Sequence, residues 1–555
     1  MTSPSASWGH PALWFLATGI LFSLWAWRRF SLRRAVQWAS ATLFVSLLWL
    51  AALDGRPRWP VDAFLFSDPL LALVHTLAGR AWVGWLFVSF GFVALAAFMG
   101  RVFCSHVCPL GALLDVTDRW IAPTRRAATN AVRFRRMRAT RYWVLAVLVG
   151  AAIVGVNLLG YVDPIVLLTR FAASLFHPLL LVSERLGLAA LRPVASAFDR
   201  LPAATHQVPL RSFDGTLGTM ALLGAVLGLS RLGARFWCRA LCPLGGLLAW
   251  IGRWAPFRRQ VSDRCDSCRI CVASCPVGAI GADGVATDRE ACIVCLSCVH
   301  VCPRGAVKFR FGGGPAPMTD SGLSPGRRAF VGGVAGGAVA GLAFRVDDWF
   351  GAELDDSHLD SGKELIRPPG ALPERAFLSR CVRCGECFKV CPTNTIQPDW
   401  YRAGPEGLWA PRLKLRYASC RQDCNACGLI CPTQAIRPLE MEEKRHARIG
   451  TATITRERCL AWSRDETCFV CEEECPYGAV RLRNDPGHRA NVPIVDPTRC
   501  NGCGRCEDRC PVEGAAAIAV VADGQIRLAS GSFQLAASER GLVFEPKRPG
   551  AQGRD

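Results

Sequence analysis

The sequence predicts a multi-domain chain in which an α-helical transmembrane domain carries compact, cysteine-rich α+β domains. Three observations lead there. Apolar stretches crowd the first 235 residues. A pattern R-x-x-C-x-x-x-C-P-L-G-x-L-L occurs twice, in RVFCSHVCPLGALLD (101–115) and RFWCRALCPLGGLLAW (235–250). Every other cysteine falls into runs of one recurring spacing.

The chain has 555 residues, is 51% hydrophobic, and carries 28 cysteines with a net charge of +20. That length allows two to four domains. A disulfide scaffold would be far shorter, so the cysteines point to metal ligation. A basic balance suits nucleic acid or a membrane surface, and the placement of the arginines decides between them.

Five stretches approach the roughly 20 apolar residues that a spanning helix needs: about 11–27, 38–54, 81–100, 142–160 and 215–232. RRFSLRR follows the first. DRWIAPTRRAATNAVRFRRMRATR separates the third from the fourth. RLGARFWCRA and GRWAPFRRQ follow the fifth. Basic flanks stay in the cytoplasm, which places the N-terminus outside and residues from about 233 inside. The arginines thus read as juxtamembrane anchors, with the lipid bilayer and not nucleic acid as the expected partner.

The repeat is larger than its cysteines. SDPLLALVHTLAG (67–79) precedes the third span and VDPIVLLTRFAAS (162–174) the fifth. Each half reads as span, extracytoplasmic Asp-Pro helix, span and cytoplasmic C-x-x-x-C-P. Repeats in membrane folds tend to place their sites at the repeat interface. Pro109 and Pro243 disfavour helix at the preceding cysteine, so Cys104 and Cys238 should end membrane helices. Cys108 and Cys242 should open short interfacial helices with Pro first. Three roles stay open for these four candidate redox thiols: two dithiols, joint ligands of a metal or extra cluster, or structural thiols. Asp68 and Asp163 are helix N-caps or candidate proton acceptors.

CDSCRICVASCP (265–276) and CIVCLSCVHVCP (292–303) share the C-x-x-C-x-x-C-x-x-x-C-P run of two-cluster ferredoxins. Three close thiolates hold one 4Fe–4S cube and the fourth ligates the other. One cluster should take Cys265, Cys268, Cys271 and Cys302, the other Cys292, Cys295, Cys298 and Cys275. The run recurs at 381–392 and 500–511. It recurs with a lengthened first arm in CRQDCNACGLICP (420–432) and CLAWSRDETCFVCEEECP (459–476). The same logic groups Cys381, Cys384, Cys387 and Cys431; Cys420, Cys424, Cys427 and Cys391; Cys459, Cys468, Cys471 and Cys510; and Cys500, Cys503, Cys506 and Cys475. Six 4Fe–4S clusters are expected. Zinc is disfavoured because all six motifs carry the third and fourth cysteine and the trailing proline.

Between these groups lies LSPGRRAFVGGVAGGAVAGLAFRVDDWFGAELDD, preceded by the linker FGGGPAP. Arg327 and Arg328 stand before a short Gly-rich apolar run and then acidic residues, the layout of a Tat export signal. Four domains follow: residues 1–260 with about five spans; 261–312, a cytoplasmic two-cluster ferredoxin domain; 313–350, a linker with one candidate Tat-type span; and 351–555, a periplasmic four-cluster ferredoxin domain.

With its paired C-x-x-x-C-P motifs, Asp-Pro segments and following two-cluster run, about 30–310 resembles the NapH family of quinol dehydrogenase membrane components. With its twin arginine, IRPPGA (366–371) and four motifs, about 320–530 resembles the NapG/MauM ferredoxins. The resemblance implies electron flow from quinol, through a multi-pass protein of the bacterial cytoplasmic membrane, to a periplasmic reductase, cytochrome or metalloenzyme. The alternative is a maturation or reactivation factor that supplies electrons to a periplasmic metalloenzyme. No H-E-x-x-H or P-loop suggests other chemistry.

Overall fold

A computed structural model describes residues 32–50, 62–122, 137–197, 211–312, 326–343, 365–400 and 402–545, together with Thr18 and Gly19. The chain divides into two compact units. The first gathers Met1–Leu50, Trp59–Ala172 and Leu217–Phe344; the second gathers Ala51–Arg58, Ala173–Thr216 and Arg345–Asp555.

The first unit is built on apolar helices around a core that includes Leu70, Leu71, Val74, Ala146, Ile165 and Val166, all fully buried. Among the described residues one helix, Pro164–Ala190, is long and apolar enough to cross a membrane. Gly84–Met99, Thr140–Ile153 and Thr216–Arg231 are apolar but shorter. Two expectations are corrected here. The stretch 142–160 stops as a helix at Ile153, because Gly155 turns to φ +84° and Asn157 Oδ1 accepts the Leu159 N–H to start a new helix. The stretch 162–174 is not a short separate helix. It opens the longest helix among the described residues, which runs on through a π turn at Ala172–Phe176. The helix Leu32–Leu50 covers most of the second expected span. Apart from Thr18 and Gly19, the stretch 11–27 lies outside the described residues.

The twin-arginine segment forms the helix Arg327–Ala343 and packs along Thr140–Ile153. Gly333, Gly337 and Gly341 recur every fourth residue on the packed face. A Cβ on Gly337 would lie 2.5 Å from the Val147 Cα, and one on Gly150 would lie 2.0 Å from the Val334 carbonyl oxygen. The backbones touch, as small-residue stripes allow. Gly337→Leu is expected to cost about 1–3 kcal/mol by overpacking, read as a lower unfolding midpoint. Gly336→Leu, where no atom lies within 4 Å, should leave the midpoint unchanged.

The cysteine-rich parts repeat one nesting. In the first unit Phe257–Val261 pairs antiparallel with Val307–Phe311, around an inner bridge between Ile280 and Thr287. In the second unit an outer bridge joins Ala371 to Ile436 around the hairpin Ile396–Pro398 with Pro411–Leu413. Thr451–Ile454 then pairs with Ile518–Val521 around Val480–Arg483 with Val492–Val495. Each nest encloses two motifs, which is the α+β form expected for two-cluster ferredoxins.

Residues 366–371 start the second unit's first nest. Gly370 at φ +83° and the Ala371 N–H bond to the Pro368 carbonyl (3.0 Å) make a type II turn after the two prolines. Arg367 is buried; it donates to Pro411 O at 2.8 Å and to Glu374 Oε1 at 2.6 Å. Arg527, from the far end of the unit, reaches Glu374 Oε2 at 2.6 Å.

Candidate iron–sulfur sites

The regular motifs bend in one way. The residues on either side of the second cysteine both take positive φ: Ser267 and Arg269, Val294 and Leu296, Arg383 and Gly385, Gly502 and Gly504. Successive turns of this kind aim backbone N–H groups into the loop, where thiolate charge would sit. The two motifs with a longer first arm do without them; Asn425 lies at φ −127° and Phe469 at φ −124°. Their extra residues supply the curvature instead. After the fourth cysteine, Gly278, Gly305, Asn394, Gln434 and Gly478 turn left-handed and send the chain back to its strands.

These loops exchange cysteines between motifs. Cys265, Cys268, Cys271 and Cys302 line one cavity. Cys275 stands in electrostatic reach of Cys292 and Cys295, and of Cys298. In the second unit Cys431 joins Cys381, Cys384 and Cys387. Cys391 joins Cys420, Cys424 and Cys427. Cys459, Cys468, Cys471 and Cys510 line one cavity, and Cys475 joins Cys500, Cys503 and Cys506.

Each set brings together three thiols from one motif and the fourth from another, the donor set of a 4Fe–4S cube. Burial pushes the Cys298 thiol to about 11 and those of Cys471 and Cys503 to about 12. Bound iron would offset that cost and make them thiolates. Backbone N–H groups already aim at sulfur: Ala279 at Cys275 Sγ (3.2 Å), Ala479 at Cys475 Sγ (3.3 Å) and Ala452 at Cys500 Sγ (3.3 Å). Such bonds help set cluster potential.

The sets of the second unit stand in a spatial order the sequence does not give. Cys387 neighbours Cys427. The Cys420 N–H donates to the Cys503 carbonyl at 2.9 Å, and buried Tyr477 sits in reach of both cysteines. Cys506 neighbours Cys471. The Cys500 set therefore lies between the Cys420 and Cys459 sets. Within the same unit, residues 211–216 dock on the first nest. Arg211 donates to Lys389 O, Ser212 O accepts from Asn394 Nδ2 at 2.8 Å, and Lys414 Nζ meets Asp214 at 3.1 Å.

In the first unit the duplicated motifs meet. Cys104, Cys108, Cys238 and Cys242 are all buried and act on one another. The equivalent arginines cross over. Arg101 donates to the Cys238 carbonyl at 3.2 Å, and Arg235 to the Cys104 carbonyl at 3.0 Å. The glycine of each Pro-Leu-Gly clears the path: a Cβ on Gly245 would lie 2.7 Å from Arg101 Nη2, and one on Gly111 2.7 Å from the Cys104 carbonyl oxygen. Arg235 has Asp115 as counter-ion at 2.6 Å. The position equivalent to Asp115 in the second motif is Ala249, and the fully buried Arg101 faces Cys104, Cys242 and Cys238. Arg235 and Arg33 also lie in reach of Cys295. This site thus adjoins the Cys292 set.

One expectation is corrected at this site. Cys104 does not end the preceding apolar helix; that helix stops at Met99, Gly100 turns to φ +76°, and Cys104 sits in the separate helix Val102–His106. Cys238 lies in a π turn, Trp237–Leu241, after Arg235 at φ +51°. Cys108 and Cys242 do cap helices that begin with Pro109 and Pro243.

Asp68 and Asp163 also come together. Each caps its helix through Oδ1, Asp68 to Leu70 N (2.8 Å) and Asp163 to Ile165 N (2.9 Å). Their side chains then meet each other.

Comparison with known proteins agrees with these sites. Residues 74–127 and 216–262 match the model of a 4Fe-4S binding domain, whose only cysteines here are Cys104, Cys108, Cys238 and Cys242. Residues 264–307 and 466–514 match 4Fe-4S dicluster domains, and 377–397 a 4Fe-4S binding domain. The chain is 35% identical over 174 residues to the methylamine utilization ferredoxin-type protein MauM of Methylophilus methylotrophus, covering 30% of this chain and 75% of that protein. It is 37% identical over 175 residues to MauM of Methylobacillus flagellatus, covering 30% and 73%. It is 35% identical over 158 residues to the ferredoxin-type protein NapG of Escherichia coli, covering 27% and 67%. It is an iron–sulfur electron-transfer protein, and it belongs to the family of ferredoxin-type proteins that includes MauM and NapG.

Proposed function

We propose that this protein is a membrane-bound conductor that takes electrons from the quinol pool and delivers them to a periplasmic redox partner. The carrying observation is the place of the four-thiol site. It lies where two equivalent halves of an apolar helical unit meet, next to the Cys292 set. NapH-like quinol dehydrogenase membrane components have the same paired motifs ahead of a two-cluster run, which supports this reading of residues 30–310.

Six 4Fe–4S clusters would be held by the 24 ferredoxin cysteines in the groups given above. A seventh would be held by Cys104, Cys108, Cys238 and Cys242. The buried Arg101 guanidinium beside four neutral thiols would be costly, whereas thiolates on a cluster would offset it. Each cluster, when bound, supplies one-electron exchange. The chain's own residues do the rest. They exclude water around the sulfurs, aim N–H groups at them, and keep neighbouring sets in contact. A second reading, electron donation for maturation of a periplasmic metalloenzyme, uses the same sites; the methylamine utilization name of the MauM relatives favours keeping it.

On this reading residues 261–312 lie in the cytoplasm and 351–555 in the periplasm, in a multi-pass protein of the bacterial cytoplasmic membrane. Iron analysis of the anaerobically purified full chain should give about 28 atoms, four for each of seven cubes. A quinol analogue should reduce them, as read by EPR. Reporter fusions after residues 312 and 540, the second Tat-competent, should report opposite sides. Two fusions on the same side would overturn transmembrane delivery, and a total near 24 would remove the seventh site.

A further inference from the structure

The duplication places a second pair of equivalent side chains together, far in sequence from any cysteine motif. Asp68 and Asp163 are both fully buried. Their Oδ1 atoms are occupied by helix caps on the N–H groups of Leu70 and Leu71, and of Ile165 and Val166. Their Oδ2 atoms receive no N–H or O–H donor, and the two carboxyl groups face one another at hydrogen-bonding range. Neither partner can be satisfied as a plain carboxylate. Two ionised carboxylates in contact, away from water, repel strongly; one proton between them removes the repulsion and makes the hydrogen bond. Helix capping alone does not ask for this, since one oxygen per residue suffices. His75 and Arg170 occupy equivalent buried positions two turns along the two helices, and Arg170 donates to the Gly160 carbonyl at 2.9 Å.

We propose that Asp68 and Asp163 form a carboxyl pair that shares one proton and takes up a second from the hydroxyl of a bound quinol. In the singly protonated state the pair carries one negative charge. It accepts one proton; the quinol oxygen keeps the bonding electron pair and becomes the anion, and no other bond changes. The pair is then neutral and returns its extra proton to water before the second hydroxyl is deprotonated. The donor rests on the quinol reading above; the shared proton does not.

Asparagine caps helices as well as aspartate, and its amide can donate to the remaining carboxylate. Asp68→Asn and Asp163→Asn should therefore fold and load iron normally while fixing the pair in one state. Infrared spectra of the full-length protein at neutral pH should show a carboxylic-acid C=O band that shifts in D2O and disappears in each variant. Quinol-driven cluster reduction should fall at least tenfold in both, with dithionite reduction unchanged. A parental protein with no such band, or a band that survives both substitutions, overturns the shared proton. A band that disappears while quinol-driven reduction keeps its parental rate overturns the acceptor role. If the parental protein is not reduced by quinol at all, the quinol reading fails, and the band still decides whether the proton is shared.

Discussion

Cys104→Ser or Cys238→Ser should abolish quinol-driven reduction of the clusters in the second unit, while dithionite still reduces them. The two variants should behave alike, because each motif contributes the same parts to one site. Each supplies two buried thiols and an arginine that reaches the other motif's first-cysteine carbonyl, at 3.2 Å and 3.0 Å. Loss of one thiolate from a four-cysteine site would release its cube, so iron should drop by about four atoms while the ferredoxin sets stay filled. Alkylation separates the remaining chemistries. Coordinated thiolates resist it until iron is removed, whereas a dithiol would react once reduced. Parental rates in both variants would leave the cysteines a packing role.

Glu374→Gln should give the largest loss of stability at a site outside the cysteine motifs. Burial alone would raise this carboxyl, but Arg367 and Arg527 outweigh it and hold it at about 2, against an ordinary 4.5. A depression of that size corresponds to about 3 kcal/mol, within the range for breaking a buried pair. The contribution is fully present above the unfolded value of 4.5 and is lost as pH falls through about 2. Urea unfolding followed by cluster absorbance should therefore separate parental protein and variant by about 3 kcal/mol at pH 7. The gap should narrow progressively below about pH 5. A constant gap across that range would mean that packing around Glu374, not its charge, is what matters.

The 4Fe–4S domains were legible in the sequence because their signal is local. Spacing of two and three residues, a trailing proline and a recurring nest need no knowledge of distant contacts. The proline after Cys108 and Cys242 likewise announced a helix start that the structure contains. What local spacing could not give is adjacency between sets. The Cys500 set stands next to the Cys420 set because the Thr451–Ile454 and Ile518–Val521 strands fold the chain back on itself, and no motif records that. The crossing of Arg101 and Arg235 was hidden for the same reason, although the shared first arginine of both motifs was visible. Helix lengths failed where single residues intervened. Gly155 breaks an apolar run that hydropathy reads as continuous, while nothing breaks the run beyond Asp163. Asp68 and Asp163 were read as caps or as proton acceptors, and the structure gives one oxygen of each to the cap and leaves the other free for its counterpart.

The glycine stripe of Arg327–Ala343 bears on kinetics. On the proposed reading, a segment discarded after export would have no use for backbone contact with Thr140–Ile153, so this helix is expected to remain. Its retention would keep the Arg327–Ala343 segment continuous with the chain that follows. Electrons passed along that single chain should then show first-order behaviour, with a rate indifferent to dilution. Stopped-flow reduction in detergent at a tenfold range of protein concentration should give one rate constant, where two separate proteins would slow in proportion.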